Sequence, residues 1–445
     1  MSWQVALGLM MLVSMIGAIF IGFPISFTLL FVALLFGSLG LGYDLTFNLA
    51  YLQIWGTMKD DILPAVPLFI FMGFMTEQAG LMQRLFLALR DLLAPVRGAL
   101  YVTVIMTAAI FAMATGIVGA AVTVLGIMAG PVMMRAGYDP RLSSGAIAAG
   151  GTLGILIPPS VMLVVMGPTM GVPVNFLYAA CLLPGFLLAG MYAAYCLGRS
   201  FFNPALGPPV PKEERVTDLW QVMREVLVGV VPLAALIAFT LGTILGGLAT
   251  ATEAASCGAA GATLLALAYG KLSWAALRNA AVGTLLTTSM VLFLAVSSNV
   301  FGAMFTRLGG SAMLADALLA VPLPDLGKLL LVMALLFVLG WPFEWPAIIL
   351  VFLPICLPVV EKLDLGLSRP ELLIWFGALV AVNLQTAFLS PPVAMSAYYL
   401  KNVMPEWPLA TIYRGMADFM VIQIVCLAAL LLWPEIALWL PRAMR

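Results

Sequence analysis

Apolar stretches follow one another along almost the whole chain, separated by short polar or proline-containing breaks. A stretch of about 20 apolar residues is long enough to cross a membrane as a helix. On this pattern, membrane-spanning helices are predicted at 3–22, 24–41, 63–80, 179–198, 226–245, 247–269, 276–302 and 413–433. The mixed polarity of 43–61 predicts an interfacial segment, and helical spacing of apolar residues predicts a surface helix at 81–98 and a second surface segment at 305–321.

Two apolar spans are interrupted by paired prolines. The first, at about 143–167, contains GGTLGILIPPS, and the second, at about 372–400, contains NLQTAFLSPPVAM. Proline lacks a backbone N–H and moves the preceding residue out of the helical region, so both spans are predicted as discontinuous helices. Carbonyls freed in mid-membrane are tolerated where they line a cavity or are buried in protein, which favours an ion and substrate site there. The alternative is a pair of proline kinks that serve packing only.

Two further apolar runs are divided near their middle. The run at 100–134 is divided at 114–119, and the run at 326–360 is divided at 340–346. Halves of roughly 15 residues are short for a full crossing, so the runs are predicted as re-entrant hairpins. The order surface helix, hairpin, polar loop and interrupted span occurs twice, which predicts an internal repeat.

The fold class expected from these elements is an all-α polytopic membrane protein, an inverted repeat with two re-entrant hairpins and two discontinuous helices. Most of the 20 Lys and Arg residues fall on one face of this layout, which should be cytoplasmic, with both termini on the opposite side. The predicted divisions are scaffold helices at 1–98, a first transport half at 99–198, a polar linker at 199–225, further scaffold helices at 226–325, a second transport half at 326–412 and a C-terminal helix at 413–445.

The composition supports a membrane protein and excludes several functions. Hydrophobic residues make up 63% of the chain and charged residues only 9%, where a soluble protein has roughly 25%. With no histidine and zero net charge, histidine proton relays, histidine metal sites and nucleic-acid binding through a basic surface are excluded. The motifs HExxH, GxSxG and GxxxxGK[ST] are missing, which argues against an intramembrane enzyme and an ATP-driven pump. Five isolated cysteines are predicted to be free and buried: Cys181, Cys196, Cys257, Cys356 and Cys426.

Two acidic residues, Glu253 and Glu344, lie in apolar surroundings. A carboxylate inside a membrane is costly unless it has a partner, which makes both candidates for function. Each could instead cap a helix. Capping is the favoured interpretation of Glu253, which follows Thr250 at capping-box spacing, whereas both interpretations of Glu344 stay open.

A series of short motifs completes the sequence evidence. They are VPLFIFMG at 66–73, RAGYDP at 135–140, GTLGILIPPS at 151–160, LPG at 183–185, TATEA at 250–254 and PPV at 391–393. In this order they resemble the large membrane subunit of the tripartite ATP-independent periplasmic (TRAP) transporters, over nearly the whole chain. The resemblance implies a sodium-driven importer of an organic acid in the bacterial inner membrane. It also implies a small four-helix membrane subunit, a periplasmic solute-binding protein and an elevator fold similar to that of divalent-anion sodium symporters. A stand-alone permease or antiporter of the same superfamily is the alternative.

The resemblance also implies site residues. A first sodium site would use Thr115 and Gly116 with carbonyls around Gly154, Ile157 and Pro159. A second would use Gly340 with carbonyls around Ala387, Ser390 and Val393. The acid would bind between them, near Ser160, Thr386, Ser390 and Glu344. Each of these hydroxyls could instead bond to the backbone of its own helix.

This chain departs from the family pattern at several of these positions. Thr115 and Gly116 stand in a hairpin turn that is usually serine-rich, Ala251 replaces a proline, Ala387 replaces a glycine, and Glu344 lies near a usual aspartate. The run QTAFLSPPVAMSAYYL resembles the branch associated with monocarboxylates, 2-oxo acids and aromatic acids.

Overall fold

A computed structural model describes residues 2–116, 118–209, 218–391 and 394–444, and these ranges contain α-helices and no β-strand. In the first half of the chain the helices are α1 (Trp3–Ile21), α2 (Ile25–Leu41), α3 (Tyr43–Met58), α4 (Ala65–Gln78), α5 (Leu81–Leu93), α6 (Ala99–Thr115), α7 (Val118–Arg135), α8 (Pro140–Thr152), α9 (Val161–Met170) and α10 (Val174–Phe202). In the second half they are α11 (Leu219–Gly229), α12 (Val231–Leu245), α13 (Ala251–Ala268), α14 (Trp274–Arg307), α15 (Gly310–Leu319), α16 (Asp325–Leu339), α17 (Trp345–Ala347), α18 (Leu353–Val360), α19 (Arg369–Leu389), α20 (Met395–Val403), α21 (Leu409–Leu432) and α22 (Glu435–Ala443).

Eight helices in the described ranges are long and apolar enough to cross a membrane, and a ninth span arises if α4 and α5, bent by 61°, count as one. Three expected boundaries are wrong. The helix α10 begins at Val174 because Pro173, which cannot donate a backbone hydrogen bond, occupies its N-cap position. The segment expected at the surface from 305 is still helix α14 as far as Arg307. An additional helix, α22, restarts after Pro434.

The two divided runs form helix pairs. In the first, α6 and α7 meet at Gly116, and α7 alone has the 18 residues and hydropathy of a span. In the second, α16 is followed by a turn at 340–344, the short helix α17, a π-helical stretch (Ile348–Phe352) and α18. Whether these pairs re-enter the membrane or cross it stays a prediction, since length alone permits a crossing by α7.

The helices pack in two groups. In the first, α4 packs against α13 and α14, and α14 also packs against α2 and α3. In the second, α8 packs between α6, α7 and α21, while α19 packs against α10 and α21. Every residue of α8 from Leu142 to Thr152 is buried, and 94% of the most apolar window of α19 is buried. The two helices that run into the breaks therefore lie in the interior of the helix bundle.

Two side-chain hydrogen bonds tie the helix α21 to its neighbours. Near the middle of α21, the Arg141 guanidinium at the start of α8 donates to both carboxylate oxygens of Asp418, at 2.7 and 2.9 Å. Near its C-terminal end, the Trp375 indole Nε1 donates to the Leu430 carbonyl oxygen at 2.9 Å. One turn before Asp418, α8 and α21 approach so closely that a Cβ added to Gly415 would lie 2.1 Å from the carbonyl oxygen of Arg141.

The cysteine prediction is confirmed for four residues and wrong for one. All five are free, but Cys257 on α13 is exposed. An apolar residue of a membrane helix is equally compatible with protein and with lipid, so composition alone does not separate the two environments.

Candidate functional site

The first break lies between α8 and α9, at 153–160. A 3-10 turn (Leu153–Ile155) follows α8, and the Ile157 N–H donates to the Leu153 carbonyl oxygen at 2.9 Å. The predicted ligand residues Gly154, Ile157 and Pro159 are all buried here. The Ser160 hydroxyl donates to the Ile155 carbonyl oxygen at 2.6 Å. It therefore makes a hydrogen bond to the nearby backbone, which was the alternative to substrate binding.

The turn of the first helix pair packs against this break. Gly116 has φ +60°, a left-handed conformation that favours glycine, and directly follows Thr115, the last residue of α6. A Cβ at Gly116 would lie 3.3 Å from Cγ2 of Val161 and 3.4 Å from its backbone nitrogen. The turn at Gly116 therefore packs against the N-terminus of α9, directly after the break that contains Gly154, Ile157 and Pro159.

The second break, between α19 and α20, has a matching arrangement. A Cβ at Gly340 would lie 2.8 Å from the Cβ of Ala387, so the turn of the second helix pair abuts the end of α19. The Ser390 hydroxyl is buried and has no hydrogen-bond partner among the described residues. Val393 lies outside the described residues. The Thr386 hydroxyl donates to the Asn383 carbonyl oxygen at 2.6 Å, again a local backbone bond.

A residue that the sequence reasoning missed lies beside this break. Both polar atoms of the Gln385 amide are buried and lack a hydrogen-bond partner within the described part of the chain. A buried polar group normally has a partner in the protein, in water or in a ligand. The signal was an amide two residues after Asn383, in an otherwise apolar span. With Ser390 it places two unsatisfied polar side chains near one break.

A cavity of about 210 Å³ lies between the two helix groups. Gly116, Gly119 and Val161 line it from the first helix pair and break, and Glu344, Trp345, Phe388 and Tyr399 from the second. Ile70 of α4 and Thr287, Met290 and Val291 of α14 form the opposite wall. The volume is below the roughly 300–1,000 Å³ of pockets that bury drug-sized ligands, so it suits a small molecule.

Of the four predicted substrate contacts, only Glu344 is among the residues that line this cavity. Ser160, Thr386 and Ser390 belong to the adjoining breaks. Two cavity hydroxyls were not predicted, those of Thr287 and Tyr399. The Tyr399 ring packs on Gly119, where a Cβ would lie 3.0 Å from its Cζ atom. The only signal in the sequence for Thr287 and Tyr399 was that each is a polar residue within an apolar helix.

The two acidic residues have different surroundings. Glu253 forms a capping box with Thr250: its carboxylate accepts from the Thr250 N–H at 2.8 Å, and its own N–H donates to the Thr250 hydroxyl at 3.2 Å. Glu344 occupies the N-cap position of α17, but its side chain makes no capping bond and no ion pair with the described residues. Glu344 lines both the central cavity and a neighbouring groove of about 510 Å³.

Comparison with known proteins identifies the family. Residues 12–436 match the family described as the tripartite ATP-independent periplasmic transporter, DctM component. The chain is 30% identical over 431 residues to the sialic acid TRAP transporter large permease protein SiaM of Vibrio cholerae, with 96% of each chain covered. It is 27% identical over 397 residues to the C4-dicarboxylate TRAP transporter large permease protein DctM of Pseudomonas aeruginosa, with 88% of each covered.

The fold also occurs in a solved transporter structure. The YdaH transporter of Alcanivorax borkumensis superposes with a TM-score of 0.62 at 17% identity, covering 88% of this chain and 89% of that one. At this identity the likeness concerns the fold alone. The relatives are permease subunits rather than enzymes, and their names specify different solutes, so the family does not determine the substrate. On the family match and these relatives, the chain belongs to the DctM family, the large membrane permease subunits of TRAP transporters.

Proposed function

We propose that this permease imports an organic acid anion, driven by the sodium gradient across the bacterial inner membrane. The observation that best supports this proposal is the cavity of about 210 Å³, which is lined by both helix-pair turns on one side and by α4 and α14 on the other. A solute held there would contact both halves of the predicted repeat, which is the arrangement of transporters whose binding site lies between repeats.

Two features support sodium as the coupling ion. Sodium prefers oxygen ligands, and the two breaks beside the cavity supply backbone carbonyls and the unsatisfied Ser390 hydroxyl. Thr115, Gly116, Gly154, Ile157 and Pro159 would form one site. Gly340, Ala387, Ser390 and Val393 would form the other. The acid would lie between them near Glu344, with Ser160 and Thr386 supporting the breaks on either side.

The proposed mechanism is an elevator. The block that contains α6–α10 and α16–α22 would move against the block formed by α1–α4 and α12–α14. A small four-helix membrane subunit would complete the fixed part, and a periplasmic solute-binding protein would deliver the acid. Both termini would lie in the periplasm. The divisions predicted at 98, 198, 225 and 325 would separate fixed from moving segments, whereas the division predicted at 412 falls within α21 of the moving block.

The test is uptake of labelled acids into proteoliposomes, with and without an inward sodium gradient, the small subunit and the cognate binding protein. We expect uptake only when all three are present. Uptake by this chain alone would show a stand-alone permease or antiporter, and uptake indifferent to sodium would contradict both ion sites.

A further inference from the structure

A second cavity, the outer cleft, has a volume of about 220 Å³ and lies between α3 and α14 on one side and α9 and the π-helical stretch on the other. Its lining includes Gln53, Thr57, Asp60, Val165, Thr169 and Asn299. The nearby end of α14 lies on the side of the chain's N-terminus, because a Cβ added to Gly8 of α1 would be 3.4 Å from the Cβ of Leu308. The orientation predicted from the Lys and Arg residues places this side in the periplasm.

The outer cleft and the central cavity lie in series along α9 and α14. Each helix contributes residues at intervals of four, which are Val161, Val165 and Thr169 of α9 and Val291, Ala295 and Asn299 of α14. The first residue of each set lines the central cavity, and the other two line the cleft. Four residues advance a helix by about 6 Å. Because Val165 and Ala295 are buried and apolar, one turn of apolar side chains separates the central cavity from the polar end of the cleft.

The outer end of the cleft carries hydrogen-bonding groups that face water. Asn299 is exposed although it lies within the long apolar helix α14, and a polar side chain in a membrane span is expected to face a water-filled cavity rather than lipid. The Asn299 Nδ2 donates to the Thr57 hydroxyl at 2.8 Å, which leaves the second N–H of this amide for a ligand. Gln53 of α3 lines the same cleft and supplies another amide. The cleft therefore offers donors that a carboxylate accepts.

The cleft is built for weak binding of such an anion. Its described lining includes no Lys or Arg. The Asp60 carboxylate, which also lines it, accepts hydrogen bonds from the N–H groups of Ile62 and Leu63 at 2.8 and 3.2 Å, so it stabilises the turn before α4. An organic anion would be held by amide hydrogen bonds without a cationic side chain. Weak binding suits an entry site, since the solute must leave it in order to reach the next site.

We infer that the outer cleft is a second solute site, at which the organic acid anion binds to the amides of Gln53 and Asn299 before it reaches the central cavity. In this structure the apolar turn at Val165 and Ala295 separates the two sites. The inference rests on the proposed function, because it adds an entry site to the same import route.

The first test labels single cysteines in right-side-out membrane vesicles that contain this chain, the small subunit and the cognate binding protein. Cys257→Ser removes the exposed cysteine, and the other four are buried. In this background, Gln53→Cys and Thr169→Cys each place a thiol on a different wall of the cleft. We expect both thiols to react with the membrane-impermeant reagent sulfonatoethyl methanethiosulfonate at the periplasmic face, and complete modification to remove most of the uptake.

Protection by the solute shows whether the cleft binds it. Pyruvate, lactate, succinate and benzoate are compared, and the acid with the highest uptake is used as the ligand. At about ten times its half-saturating concentration this acid should slow the labelling about tenfold, because it occupies most of the sites. Thr306→Cys is the control, since it is exposed near the end of α14 and outside the cleft. Its labelling should not respond to the acid, and its modification should leave uptake unchanged.

The second test changes the charge at one position of the cleft. Gln53→Lys adds a cation, and Gln53→Glu adds an anion of nearly the same shape as glutamine. For an organic anion, the half-saturating concentration of uptake should fall in the first variant and rise in the second, with little change in the maximal rate. Thr306→Lys and Thr306→Glu should leave this concentration unchanged, which separates binding in the cleft from an effect of surface charge on the binding protein.

Several outcomes would overturn the inference. It is wrong if the cleft cysteines react only from the cytoplasmic face, if the acid does not protect them, or if fully modified vesicles keep their uptake. It is also wrong if the two Gln53 charge variants shift the half-saturating concentration in the same direction, or if the Thr306 variants shift it equally. Because Gln53 and Thr169 lie on different helices, either cysteine decides the labelling test if the other variant does not assemble. Uptake without protection overturns the inference alone, whereas unmodified vesicles that take up none of the acids overturn the proposed function as well.

Discussion

Gly340, in the turn of the second helix pair, lies against Ala387 of α19 so closely that a Cβ on the glycine would be 2.8 Å from the alanine Cβ. The Phe337 carbonyl oxygen lies 3.1 Å from the same position, so both neighbours would crowd an added methyl group. The contact joins the helix-pair turn to the helix that ends at Ser390. Because residue 387 carries a Cβ, the space needed for the contact is on the turn, at Gly340.

Replacing Gly340 with alanine should separate the turn from α19. Overpacking of this kind costs about 1–3 kcal/mol, and we expect a lower unfolding temperature in detergent and at least about a tenfold loss of uptake. Gly190→Ala is the matched control, because that helical glycine has no neighbouring atom within 4 Å. The double variant Gly340→Ala, Ala387→Gly should recover much of the lost uptake. If it does not, the contact is not the cause of the loss.

Replacing Gly116 with alanine should impair the first break in two ways. The left-handed conformation costs an alanine about 1–2 kcal/mol, and the new methyl group crowds Val161 at 3.3 Å. Gly171→Ala carries the same backbone cost at φ +65° but meets no atom within 4 Å. We expect uptake to fall much further in the first variant than in the second, measured at matched protein levels. Equal losses would mean that backbone strain alone is responsible.

Replacing Ser390 with alanine tests the second sodium site. Because the hydroxyl has no hydrogen-bond partner among the described residues, its removal breaks none of their hydrogen bonds. If it binds sodium, the half-saturating sodium concentration should rise about tenfold, equivalent to about 1.4 kcal/mol. Ser297→Ala is the control, since that hydroxyl donates to the Phe293 carbonyl oxygen at 2.8 Å within α14. An unchanged sodium dependence in Ser390→Ala would remove this residue from the site.

Replacing Glu253 with alanine should affect stability and leave transport constants unchanged. Loss of the capping box costs about 1 kcal/mol, which thermal unfolding in detergent would detect. The sodium and substrate concentrations for half-maximal uptake should match those of the wild type. A shift in either constant would show that the residue does more than cap α13.

Local chemistry made part of this structure predictable from sequence. Paired prolines cannot continue a helix, so both breaks were predicted, and Thr250 with Glu253 has the spacing of a capping box. The central cavity depends instead on which helices meet in three dimensions. Thr287 lies on α14, far along the chain from Gly116 and Tyr399, and nothing near it in sequence indicates that it lines a cavity with them. The exposure of Cys257 could not be predicted, because lipid and protein interior select the same apolar residues.

The ion pair between Arg141 and Asp418 joins residues that are 277 positions apart in the chain. It fixes α21 against α8. Because a ribosome adds about 5–20 residues per second, α8 waits roughly 15–60 s for the helix that buries it. Throughout that time the part of α8 that includes Ser144 and Gly145 lacks its final neighbours, Gly415 and Phe419 of α21. Completion of the packing around α8 is therefore set by the synthesis of α21, and a truncation that removes α21 also removes support from a helix made much earlier.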